Sequence, residues 1–140
     1  MNTDFIPHYS KQYVDDIFLT GSRAILPFVM PWKDYDYAVA SEDIGELIES
    51  LQKYGYKLES DSEHYETTKF YSLRKEKVNI IAIPDVDFFK KWVLATEAAK
   101  SMRLWRRKDR VTLFSTVLYE NIHGDHDTAI ESLEMSNGHA

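Results

Sequence analysis

The sequence predicts an α+β domain, a mixed central β-sheet with helices packed on it and a helical C-terminal part. Three observations carry this expectation. Short apolar or alternating runs near 16–20, 34–40 and 77–83 have the length and pattern of strands. Residues 42–54 place Ile44, Leu47, Ile48 and Leu51 at helical spacing. From Asp85 onward the pattern is helical only, and helices gathered at one end of a strand-rich segment suit an α+β arrangement.

Taken in order, residues 8–15 read as a short helix with Tyr9, Tyr13 and Val14 available for packing. Ile17, Phe18 and Leu19 form a short apolar run ending at Gly21, as in a buried strand. A helix over Ser22–Met30 is limited by Pro27 and Pro31. Residues 34–40 alternate, with Tyr35, Tyr37 and Val39 on one side and Asp34, Asp36 and Ala38 on the other. Ser41 is placed to cap the helix over Glu42–Tyr54, and Gly55 to stop it. Strands are expected over 56–60, 66–73 and 77–83. Pro84 ends the last of them and Asp85 caps a helix reaching about Met102, with Phe88, Phe89, Trp92, Val93 and Ala99 inward. A final helix over about 108–122 carries Val111, Phe114, Leu118 and Ile122 on one side, with Gly124 as its stop. Residues 1–124 are therefore read as one domain and 125–140 as a flexible tail.

Composition narrows the class. With 44% apolar and 29% charged residues the chain is globular rather than disordered. It has no cysteine, so disulfides, cysteine-held zinc and thiol chemistry are excluded, in keeping with a cytoplasmic protein. Neither a secretory leader nor a membrane-spanning run is read from it. The net charge of −6 opposes general affinity for nucleic acid. The charge is uneven, however: Lys100, Arg103, Arg106, Arg107, Lys108 and Arg110 crowd into eleven positions, and no Lys or Arg follows them. That cluster reads either as a solvated helix end or as a phosphate- or RNA-facing platform with Trp105 as a stacking ring.

The chemistry centres on Phe18-Leu19-Thr20-Gly21-Ser22-Arg23 and Asp34-Tyr35-Asp36. Transfer from a nucleoside triphosphate requires the phosphate charge to be neutralised, usually by Mg²⁺ (or Mn²⁺). Two aspartates at i and i+2 of a strand present their carboxylates on one side, close enough to share a metal. A Gly-Ser turn after a strand offers backbone N–H groups and a hydroxyl to the outer phosphates, and Arg23 adds charge there.

This succession of strand, Gly21-Ser22, short helix and Asp34/Asp36 on a strand resembles the DNA polymerase β-like nucleotidyltransferases, in particular their small, minimal, phage-type members. The resemblance covers about residues 14–83. It implies the nucleotidyltransferase fold, a triphosphate held by Gly21 and Ser22, and catalytic metal on Asp34 and Asp36. Arg23 and one of Arg103, Arg106 or Arg107 would offset developing charge. The implied partners are a nucleoside triphosphate, an RNA, protein or small-molecule hydroxyl acceptor, and a small protein partner; a membrane is not among them. One position departs from the pattern. The family's third acid is expected on the strand over 77–83, where Asn79 stands. Asparagine offers a carbonyl oxygen but no charge, and it cannot act as a general base. Two function classes follow: a metal-dependent transferase, or a catalytically impaired member that binds a nucleotide or a protein.

Other candidates have plainer readings. Asp85-Val86-Asp87 fits helix capping. His123-Gly124-Asp125-His126-Asp127 has the residue types of a metal site, but Gly124 breaks the spacing of a helical one. His8 and His64 are isolated. Tyr35 and Tyr37 are expected to pack under the sheet, and Trp32 and Lys33 to lie at the strand mouth.

Overall fold

The computed structural model describes residues 3–59 and 70–119. A 3-10 helix, His8–Tyr13, leads into β1 (Asp16–Thr20) and a four-residue α1 (Ser22–Ile25). Then come β2 (Tyr35–Ala40), α2 (Ile44–Lys53), β3 (Lys57–Leu58), β4 (Tyr71–Lys75) and β5 (Val78–Ile83). Two long helices close the described chain, α3 (Val86–Ser101) and α4 (Arg107–Tyr119). The strands form one sheet in the order β1-β2-β5-β4-β3. Among the described residues only β2 and β5 pair in parallel, so the sheet is mixed and the α+β expectation holds.

Each sheet face has its own core. On one, Tyr37, Val39, Leu73, Ile80 and Ala82 pack on Leu47 and Leu51 of α2 and on Tyr56. On the other, Ala38, Ala40, Ile81 and Ile83 meet Phe88, Phe89, Trp92, Ala95 and Ala99 of α3 and Val111, Phe114 and Leu118 of α4. Small alanines on β2 opposite large rings on α3 let helix and sheet approach closely.

Several boundaries differ from expectation for local reasons. Pro27 restricts the residue before it, and Leu26 is already extended, so α1 stops after Ile25 rather than reaching Met30. Helix α2 starts at Ile44, not Glu42, because Ser41 Oγ accepts from Asp43 N at 3.2 Å and shapes the turn ahead of the helix. Its end matches expectation: Gly55 adopts φ +107°, with Gly55 N–H bonding Gln52 O and Tyr56 N–H bonding Leu51 O. Strand β4 runs later than 66–73 because Glu76 takes a left-handed φ of 55° and makes a two-residue hairpin with Lys77. Glu-Lys carries none of the glycine or asparagine that usually marks such a turn. Asp85 caps α3 as expected, its Oδ1 accepting from Asp87 N at 2.8 Å. The expected tail, Gly124 and the His123–Asp127 run lie outside the described residues, as do His64 and residues 60–69.

No helix among the described residues is long and apolar enough to cross a membrane.

Candidate functional site

The site grows from one cross-strand row. Thr20 of β1 is opposite Asp36 of β2, Asp36 is opposite Asn79 of β5, and Asn79 is opposite Arg74 of β4. Register partners share a sheet face, so four strands direct these side chains to the side that α3 covers. The row lies near the N-terminal ends of the parallel pair β2 and β5, at the opposite end from Ala40 and Ile83.

A buried hydrogen-bond circuit holds β1 in place. Trp92 Nε1 donates to Thr20 Oγ1 at 3.1 Å, and Thr96 Oγ1 donates to Trp92 O at 2.9 Å. Thr96 has thereby committed its proton, so Thr20 is the donor in the 2.7 Å Thr20–Thr96 bond. The next residue, Gly21, turns with φ +71°. A Cβ there would lie 3.0 Å from Asp36 Cβ and Cγ and overlap its carboxylate oxygen. Only glycine suits both the backbone angle and the close approach. The Gly21 turn thus packs directly against Asp36. Ser22 is buried at the start of α1.

Asp36 is 4% exposed and accepts from Asn79 Nδ2 at 3.2 Å. Asn79 Oδ1 in turn accepts from Ser72 Oγ at 3.1 Å. Burial pushes the Asp36 carboxyl above its ordinary range. The Asn79 bond works against that rise, Asp34 adds to it and Arg74 opposes it. Asp34, just before β2, meets Arg74, whose Nη1 donates to Asp34 Oδ2 at 2.8 Å. Arg74 Nε lies 3.2 Å from Glu59 Oε1, and the side chains of Arg74 and Asp34 are only 19% and 15% exposed. Neither Arg74 nor Glu59 was singled out in the sequence, because only strand pairing brings them beside Asp34.

The remaining expected residues divide. Arg23 does not point its Nε and Nη2 at an open phosphate site. They donate to the Lys33, Asp34 and Pro31 carbonyls at 2.7–3.3 Å, and the guanidinium lies 3.8 Å from the Tyr35 ring centroid. Arg23 therefore shapes the loop that delivers Asp34. Tyr37 packs in the core as expected, whereas Tyr35 is 39% exposed. Arg103 and Arg106 are exposed in the α3–α4 turn. Arg103 has a left-handed φ of 55° and closes α3, with Arg103 N–H on Lys100 O and Leu104 N–H on Ala99 O. Thr96 is level with the site row, and Arg103 follows it by seven residues, about 10 Å of helical rise. The basic turn thus emerges at the same end of the sheet as the acids. Arg110 is used differently, its Nη1 donating to Leu104 O and Trp105 O. Phe28 and Trp32 in the α1–β2 loop and Trp105 in the basic turn are exposed.

These residues do not fit the magnesium site that the resemblance implies. Asn79 turns its amide donor, not its carbonyl, toward Asp36, and a cation already neutralises Asp34. A divalent ion on Asp34 would have to share that carboxylate with the Arg74 guanidinium and meet its like charge. Among the described residues no group of three or more His, Asp or Glu side chains is placed to hold a metal.

No family model matches the chain, and no curated protein matches it by sequence. Among solved structures it is similar to the conserved protein GrpB from Enterococcus faecalis, at 12% identity over 91% of this chain and 84% of that one, with a TM-score of 0.52. At this identity the likeness concerns the fold alone: an α+β protein with a nucleotidyltransferase-like fold.

Proposed function

We propose that this chain is a nucleotide-binding protein with a nucleotidyltransferase-like fold in which the transferase chemistry is impaired. The carrying observation is Asn79, in register with Asp36 and donating its amide to it. An aspartate there would add a carboxylate able to assist deprotonation of an attacking hydroxyl; asparagine cannot take that proton. The Gly21-Ser22 turn, Arg103 and Arg106 are the groups assigned to the phosphates, and a nucleoside triphosphate is the ligand class.

Labelled nucleoside triphosphates test this. The wild type is expected to bind ATP, and Arg103→Ala/Arg106→Ala to bind it about tenfold more weakly. In the presence of Mg²⁺ and candidate RNA or protein acceptors, wild-type label transfer is expected to equal that of Asp34→Ala/Asp36→Ala. Robust transfer by the wild type alone would establish the second reading, a metal-dependent transferase moving a nucleoside monophosphate to a hydroxyl acceptor. That reading draws its support from the close packing of Gly21 on Asp36.

A further inference from the structure

We infer that Arg74 is a resident counter-cation that occupies the place of a divalent ion beside Asp34, so that a nucleoside triphosphate bound at this site is bound without metal. The nucleotide part of this inference rests on the reading just given. Arg74 stands on β4, two strands from β2, and reaches past β5 to Asp34. Its reach is not that of a loose surface pair. Nε is held by Glu59 while Nη1 is held by Asp34, and the side chain is largely shielded. Two carboxylate partners orient a planar guanidinium far better than one. A guanidinium keeps its proton throughout the working pH range, so the cation held between Asp34 and Glu59 is permanent.

The rest of the row supports the same role. In a metal site both aspartates would turn oxygen lone pairs toward the ion. Here one oxygen of each is taken by a protein donor, Asp34 Oδ2 by Arg74 and Asp36 Oδ1 by Asn79. The Asn79 amide is itself oriented by Ser72, whose hydroxyl donates to its carbonyl oxygen. Turning Asn79 to offer that oxygen to an ion would break both bonds and set two oxygens, those of Asn79 and Asp36, against each other. Three features thus agree: a cation beside the first acid, an amide donor beside the second, and a hydroxyl that fixes the amide.

Mn²⁺ binding to the full chain, followed by electron paramagnetic resonance, reads this directly. The wild type is expected to hold Mn²⁺ no tighter than about 1 mM. Arg74→Gln is expected to tighten binding by about tenfold or more, and Arg74→Gln/Asp34→Asn to lose that gain. A wild-type site tighter than about 0.1 mM that disappears in Asp34→Asn overturns the inference, as does a folded Arg74→Gln with unchanged Mn²⁺ affinity. If Arg74→Gln fails to fold by circular dichroism, the wild-type titration decides. A second arm uses ATP as probe: wild-type affinity is expected to agree within about twofold between EDTA and Mg²⁺, and a loss of about tenfold in EDTA overturns metal independence. If ATP binds under neither condition, the nucleotide reading fails, and the Mn²⁺ titration still decides whether Arg74 excludes the ion.

Discussion

The two ends of the parallel pair β2 and β5 share one backbone ladder and do opposite things. Toward the C-terminal end, Ala38, Ala40, Ile81 and Ile83 are sealed under the rings of α3 and α4. Toward the N-terminal end, Asp36 and Asn79 occupy the same face and are equally buried, but they carry a polar chain from Ser72 through Asn79 to Asp36. Burial alone therefore does not distinguish core from site in this molecule. The difference lies in what each end does with that burial: one packs alkyl groups against rings, and the other joins its buried polar groups to one another through side-chain hydrogen bonds.

The circuit through Trp92 joins the two ends, and removing it gives the largest expected effect. Trp92→Ala deletes a large buried ring and leaves Thr20 without its indole donor. It is expected to lower stability by about 4 kcal/mol in a urea titration. A loss under 1 kcal/mol would mean that the ends are not coupled through α3. Gly21→Ala comes next, at about 2 kcal/mol, from the strained φ and the displaced Asp36 carboxylate. A neutral result would show that the turn does not press on the acid.

The smallest effect is a pH dependence. The Asp36 carboxyl has a raised pKa in the folded protein, chiefly through burial, so the folded state holds its proton where the unfolded chain has released it. This favours folding at acid pH, and the advantage falls away as pH rises from the ordinary carboxylate range through the raised folded value. Asp36→Asn removes that dependence. The variant is expected to gain stability relative to wild type on going from pH 4 to neutral, measured by thermal melts across pH. A constant difference would locate the burial cost elsewhere.

Much of this architecture was legible before any coordinates. Pro84 followed by Asp85 marked the start of α3 because proline ends a strand and a carboxylate caps a helix. The i, i+2 spacing of Asp34 and Asp36 matched one shared side, since Arg74 and Asn79 of one row reach them both. Gly55 marked the end of α2, because few other residues adopt its backbone angle cheaply. The Glu76-Lys77 turn escaped notice because its residues lack the usual turn signature. The carbonyls of Pro31, Lys33 and Asp34 that Arg23 binds were not legible either, because a basic residue beside Gly-Ser carries no mark of them.

By itself the sequence determined the elements, the glycine turn, the twin acids and the unusual Asn79, since periodicity and local conformational limits act within a few neighbouring residues. Only the tertiary structure decided what those acids face. Arg74 is 40 positions from Asp34 along the chain, and Glu59 and Ser72 approach through strand pairing. The electrostatic character of the site is set by charges a few ångströms apart in space, and that separation is a property of the sheet register, to which local sequence patterns are blind.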